Sequence, residues 1–445
     1  MMNVKKAMAI ILCLILCASV CACRKNVPQD SSGEVEIVGN NNGDFDNDST
    51  LDDSSQVDVS SNNGNGQSVS SGKNNNSSNN GSSSNGNQNQ NSSSGSQSNS
   101  SQVSNKDHTL SLKLESWHPG VYGYDASYTL LPFLDGEMPN SGNVTYKASD
   151  SAVKFKGNVV TIPSSVRQKG NDVTVTLTEK TTGLKTDIKI QCKKWDVTFN
   201  DEFNGTEIDS TKWSTFEEGS GGTISMQWRD NAFVQDGKLN LIVKKEEKTF
   251  NGKTVQYTQG GISTKGKFDQ VCGLFTASMK IPKTPSLNSA FWLLPGGAYG
   301  KAYMTYDKDE TTKGLSEIDI VEASYAWNNT YCIGEHFYDT ANEYEHSSKG
   351  KSYVGINKDL AENYVEYSCA WLEDTIYYYA DGILLYTDDA VVSKGGIKPK
   401  DGLPAYLIFT LGVYGPDNTW CGDYSELENA TFPITLYVDY ARVYK

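Results

Sequence analysis

From residue 108 onward the chain is written in short alternations of apolar and polar side chains. Thr109-Leu-Ser-Leu-Lys-Leu114, Val159-Val-Thr-Ile162, Asp172-Val-Thr-Val-Thr-Leu177, Leu239-Asn-Leu-Ile-Val243 and Thr375-Ile-Tyr-Tyr-Tyr379 are examples, punctuated by Gly, Asn and Asp. Strand side chains point alternately to opposite faces, so a period of two predicts half-buried strands. No long helical period interrupts them. The pattern predicts an all-β protein. The roughly 250 residues of 194–445 are enough for one large sandwich with its own core.

Two other textures precede these strands. Lys5 and Lys6 lead into an apolar run from Ala7 to Ala22. That is a signal-peptide layout, too short and too soon polar for a membrane span. Val20-Cys-Ala-Cys23 resembles a bacterial lipobox, so residues 1–23 are expected to be cleaved to leave a lipidated Cys23; a secreted protein cut slightly later is the alternative. Residues 24–107 are dominated by Ser, Asn, Gly and Gln. Such a tract cannot bury a core and is expected to be a disordered linker. As a flexible coil of roughly 80 residues it would span about 50 Å. The next segment, 108–193, has strands at the spacing of a small immunoglobulin-like sandwich. It serves as a spacer or, alternatively, as a carbohydrate-binding module, for which Trp117, His118, Tyr122 and Tyr124 form the one exposed-looking aromatic cluster.

One strand breaks the alternation rule. The apolar, β-branched stretch Leu315 to Val321 leads into Glu322 and carries Glu317 and Asp319 inside it. Carboxylates are rarely placed in such a run without a chemical reason. Glu317 and Asp319 share one face by parity, and Glu322 falls on the other. A β-bulge at Ile320–Val321 would turn Glu322 back beside them. Two carboxyl groups about 5–5.5 Å apart are what a retaining glycosidase needs, and mutual repulsion raises the pKa of one toward that of a general acid. The bland alternative is a solvated strand edge.

The flanking residues resemble glycoside hydrolase family 16. The Glu317-x-Asp319-x-x-Glu322 hexapeptide is similar to the bulged signature of its laminarinase-like members. Phe199-Asn-Asp-Glu-Phe-Asn-Gly205 with Trp213, Trp228-Arg-Asp-Asn231, Asp236-Gly-Lys-Leu239, Tyr257-Thr-Gln-Gly-Gly-Ile-Ser-Thr264, Ala290-Phe-Trp-Leu-Leu-Pro295 and Val438-Asp-Tyr-Ala-Arg-Val-Tyr444 follow in family order. The resemblance covers about residues 195–445 and implies a β-jelly-roll that hydrolyses β-linked glucans or galactans with retention. It implies Glu317 as nucleophile, Glu322 as acid/base and Asp319 as the group tuning their titration. It implies sugar contacts at Trp228, Arg229, Asn231, Trp292 and His336, with Trp420 as a rim platform. No cofactor is required. A structural Ca²⁺ on Asp439 and the Gly237 carbonyl is implied as well, and hard oxygen donors suit that ion. Two positions depart from the family pattern: Gly261 stands where Arg is common, and Thr410 where Asn is common.

Charge and cysteines narrow the rest. A net charge of −15 without a basic patch argues against nucleic acid as a partner. Five cysteines follow Cys23, none in metal spacing, and the apolar flanks of Cys272, Cys332 and Cys369 favour free thiols. The expectation is a monomeric endo-β-1,3- or β-1,3-1,4-glucanase, lipid-anchored to a bacterial surface and acting outside the cell. A galactan hydrolase of the same family is one alternative. A non-catalytic, lectin-like glucan binder is the other.

Overall fold

The structure, a computed structural model, describes residues 102–104, 107–295, 315–339, 345–373, 375–388 and 404–445. The expected signal segment, Cys23 and nearly all of the linker lie outside the described residues. No described helix is long and apolar enough to cross a membrane.

Residues 107–193 fold as a small two-sheet sandwich. One sheet runs in the order Gln102–Ser104, Thr109–Leu114, Ala126–Leu134, Val159–Ile162, Lys154–Lys156; the other holds Val144–Ala148, Val173–Glu179 and Lys185–Ile190. The alternating positions that the sequence assigned to one face, such as Leu110, Leu112, Val173, Val175 and Leu177, meet in a single core. Gln102–Ser104 pairs antiparallel with Thr109–Leu114, so the end of the predicted linker is an edge strand rather than coil. Polar side chains hid it, because an edge strand needs backbone partners more than apolar faces.

Residues 195–445 form a larger sandwich. A seven-stranded sheet runs Ser214–Thr215, Gly261–Ser263, Ala405–Val413, Leu287–Pro295, Leu315–Ala323, Tyr331–Asp339, Glu345–Val354. The facing sheet is built around Lys238–Phe250, Ile434–Tyr444, Gly273–Lys280, Val365–Trp371 and Ile376–Ala380. Their inner faces interdigitate through residues such as Leu241, Phe275, Phe291, Ile318, Tyr378, Phe409 and Val443. The five described cysteines are free thiols.

The small sandwich docks on the outer face of the larger one's ten-stranded sheet. Leu274, Ala370, Tyr377, Tyr379 and Tyr444 cluster there with Val121 and Trp195. The aromatic group read from the sequence as exposed is mostly consumed by this joint. Trp117 meets Tyr377 edge-on at 6.2 Å, His118 packs on Tyr379, and Tyr122 stacks on Tyr444 at 4.9 Å. Tyr124 covers Gly382, where a Cβ would come within 2.4 Å of the ring. At the centre, the fully buried Arg167 donates from Nη1 to Pro119 O (2.8 Å) and from Nη2 to Val121 O (2.6 Å) and Tyr124 O (2.5 Å). A buried cation is tolerated where carbonyl dipoles replace its water.

Candidate active site

The strand Leu315–Ala323 lies between Leu287–Pro295 and Tyr331–Asp339. Against the first neighbour, Val321 faces Phe291 and Asp319 faces Trp292, so Ile320 is an extra residue. Against the second, Glu322 faces Cys332 and Asp319 faces Gly334, leaving Ile320 and Val321 opposite Ile333. This is a β-bulge at Ile320–Val321. Ile318, Ile320, Val321 and Ala323 all enter the inter-sheet core. Glu317, Asp319 and Glu322 are therefore turned to the other face together. Consecutive core residues at 320 and 321 are the local reason: two β-branched side chains gain burial by giving up regular alternation.

The three carboxyl groups are deeply buried, with relative exposures of 3% for Glu317, 3% for Asp319 and 7% for Glu322. Burial pushes the Glu317 carboxyl well above the usual range, and the charge of Asp319 and a hydrogen bond with it push the same way. Burial and Asp319 also raise Glu322. His336 and an amide from Asn288 partly oppose that rise, and Glu317 adds to it. His336 Nε2 lies 3.0 Å from Asp319 Oδ2, so the imidazole faces the middle of the row. Two carboxyl groups raised by burial and by a shared neighbour are the material from which a general acid and a nucleophile can be made.

Neighbouring strands complete the surface. Trp292 shares the carboxylate face and donates from Nε1 to Thr410 Oγ1 at 3.3 Å. It clusters with Ala290, Leu294, Tyr406 and Ile408. The charge of Glu317 is felt by the Tyr406 hydroxyl, which burial already raises. Asn288 donates from Nδ2 to Glu322 Oε1 at 2.9 Å. Neither Tyr406 nor Asn288 was singled out from sequence. Their signal was parity: both lie in apolar strands, in register with the face that carries Trp292 and Thr410.

The other predicted contacts divide. Trp228 packs edge-on to Phe250 at 6.0 Å, with Lys248 Nζ 4.0 Å from its ring centroid. Arg229 is exposed beside it. Asn231 is fully buried and donates to Thr258 Oγ1, a bond inside the protein rather than a free sugar-facing amide. Trp420 is wedged between Trp327 (4.6 Å) and Tyr414 (5.7 Å) rather than standing free on a rim. Gly261 lies beneath Phe216: a Cβ there would come within 2.6 Å of the ring, so Phe216 occupies the space a larger side chain would need. Leu239 pairs with Val438, which brings the turn at Gly237 near Asp439 at the end of two interior strands. Among the described residues no three His, Cys, Asp or Glu side chains are grouped to hold a metal, so any ion there would rely on one carboxylate and on carbonyl oxygens.

Comparison with known proteins bears on this geometry. Residues 195–445 match the family model of the GH16 domain of beta-porphyranases A–D. The chain is 31% identical over 272 residues to glucan endo-1,3-beta-glucosidase A1 of Niallia circulans, covering 56% of this chain and 37% of that protein. It is 28% identical over 255 residues to a keratan-sulfate endo-1,4-beta-galactosidase of Sphingobacterium multivorum, covering 56% and 55%. The chain thus spans about a third to a half of the length of these two relatives. Among solved structures, the catalytic domain of an endo-1,3-beta-glucanase (laminarinase) from Thermotoga petrophila is similar at 26% identity and a TM-score of 0.46, covering 57% of this chain and 98% of that one.

Proposed function

The chain belongs to glycoside hydrolase family 16 through residues 195–445, and from that membership we propose that it is a retaining endo-hydrolase of β-1,3- or β-1,3-1,4-glucan. The observation that carries this reading is the bulge at Ile320–Val321, which turns Glu317, Asp319 and Glu322 to one face. Glu317 attacks the anomeric carbon as its glycosidic bond breaks. Glu322 gives its proton to the departing oxygen, then takes one from the water that hydrolyses the glycosyl-enzyme. Asp319 and His336 set how the proton is shared. Trp292 and Tyr406 supply apolar surface for a sugar ring.

A galactan backbone is the second reading. It is favoured by the family model matched, that of beta-porphyranases A–D. Reducing-sugar release from laminarin, lichenan, xyloglucan, agarose and porphyran separates the two. Proton NMR of the first-formed anomer tests retention. Release of the inverted anomer, or from none of the five, overturns the reading.

Three further readings accompany it. Val20-Cys-Ala-Cys23 supports lipid anchoring at the outer surface of a bacterium, and Cys23→Ser is expected to release the protein from the membrane fraction. The 108–193 sandwich serves as an immunoglobulin-like spacer rather than a sugar-binding module, since Trp117, His118 and Tyr122 pack against the catalytic domain. A Ca²⁺ held by Asp439 and the Gly237 carbonyl would steady the turn between two strands, and a rise in melting temperature with added Ca²⁺ that Asp439→Asn abolishes would test it.

A further inference from the structure

Asn288 is a polar residue inside the apolar strand Leu287–Pro295. It is 7% exposed, and its amide faces the carboxyl of Glu322, with Nδ2 2.9 Å from Oε1. Its own Oδ1 is buried without a partner. An orphaned acceptor in an interior is costly, so a buried amide that satisfies only its donor end calls for an explanation. An apolar side chain would fill the same place without that penalty. What it could not do is hold one oxygen of Glu322.

We infer that Asn288 is a positioning residue for the acid/base step: by donating to Oε1 it fixes the carboxyl plane and leaves Oε2 as the oxygen that gives and takes the proton. This rests on the assignment of Glu322 made above. A retaining acid/base must act protonated in the first half-reaction and ionised in the second. A carboxylic acid carries its proton on one oxygen, and the other remains an acceptor. An amide N–H on Oε1 is therefore satisfied in both states, so the carboxyl need not rotate between steps. Without it, the proton can reside on either oxygen and the group can turn toward Asp319. Pre-orientation of this kind is worth most where the leaving group needs a proton.

Glu322 is faced by groups from four segments of the chain. Glu317 and Asp319 share its strand. Cys332 and His336 come from the strand on one side, Asn288 from the strand on the other, and Cys421 from the loop after Trp420. Asn288 is the one amide among them, and its N–H carries no titrating proton.

The test compares Asn288→Ala and the near-isosteric Asn288→Asp with wild type. On laminarin, kcat/KM is expected to fall about 10- to 100-fold for Ala and further for Asp. On 2,4-dinitrophenyl β-laminaribioside, whose leaving group needs no acid, kcat/KM should stay within about threefold. A ¹³C NMR titration of carboxyl-labelled Glu322, run without substrate, should move its midpoint upward in Ala and further upward in Asp. Thermal melts confirm that both variants are folded. Equal losses on the two substrates, or an unmoved midpoint in a folded variant, would overturn the inference. Wild type inert on both substrates would instead overturn the glucan reading, and full activity of Glu322→Gln would overturn the assignment of Glu322. The midpoint shift alone would then speak only for the hydrogen bond.

Discussion

Two buried ionisable centres sit on opposite outer faces of the large sandwich, and they are solved in opposite ways. At the joint, Arg167 is surrounded by carbonyl oxygens from Pro119, Val121 and Tyr124, each of which accepts what the guanidinium donates. Gly120 makes room for it: a Cβ there would come within 2.7 Å of Nη1. On the far face, Glu317, Asp319 and Glu322 are pressed together with like charge, and Glu317 Oε2 is buried without a hydrogen bond. The first centre sets the two terminal guanidinium nitrogens against carbonyl oxygens, with only Nε left buried and unpartnered, and holds a shape. The second crowds acceptors together and holds protons more tightly than carboxylates in water do. Burial alone makes neither a scaffold nor a reagent; the sign of the neighbours decides which.

The contrast predicts opposite responses to substitution. Glu317→Gln and Glu322→Gln should each lower turnover by about three orders of magnitude or more, as expected for loss of a nucleophile or an acid/base. Neither should destabilise the fold at neutral pH, and calorimetry should show an equal or higher Tm. The sign follows from linkage. Both carboxyls have raised folded pKa values, so their contribution to stability is fully present below the unfolded value of about 4.5. It is lost as pH rises through the folded value. The Tm advantage of the Gln variants should therefore grow from pH 4 toward pH 8. A variant that melts lower at pH 8 than wild type would break the comparison.

Arg167→Met should do the reverse. It leaves three buried carbonyls without their donor, for a loss of about 3 kcal/mol or more in urea unfolding. Activity per folded molecule should stay within about twofold, because the joint lies on the other sheet. Gly382→Ala probes the same joint more gently. Its φ of +77° and the Tyr124 ring over it oppose a Cβ, with an expected loss of about 1–3 kcal/mol.

His118 gives the smallest effect and the sharpest sign. Its Nε2 faces Ser127 O at 3.2 Å, and a carbonyl can only accept, so Nε2 carries the proton and Nδ1 accepts from the Tyr379 hydroxyl at 3.3 Å. Burial lowers its pKa to about 4, and the charge of Arg167 adds to that. A depressed folded pKa means that the stabilising neutral form is fully favoured above about pH 6.5 and is lost as pH falls toward 4. Wild type should lose a few degrees of Tm across that window, and His118→Gln should lose less. Identical pH slopes would remove His118 from the joint's energetics.

The bulge was legible in the sequence because it follows from parity within six residues. Three carboxylates and three apolar side chains can be separated into two faces only if one residue is inserted. The strands of both sandwiches were legible from their alternation. The joint was not. Trp117, His118 and Tyr124 looked exposed because the surface that covers them, Tyr377, Tyr379 and Gly382, lies some 260 residues away in the chain. The partners of Asn231 and Trp420, Thr258 and Trp327, were hidden for the same reason, since local pattern cannot reveal them. Asn288 needed knowledge of which strand neighbours Leu315–Ala323, a matter of sheet order rather than of sequence.

The docking side of the small sandwich has a mechanical meaning. Its contacts end on Tyr377, Tyr379 and Tyr444, the back of the ten-stranded sheet. Tension arriving from the N-terminal direction is thus taken up by a sheet that carries no carboxylate of the row. The face with Glu317 and Glu322 is two layers away and turned outward. A load entering through the small sandwich is therefore borne by the back of the large one, while the carboxylate row lies on the other sheet.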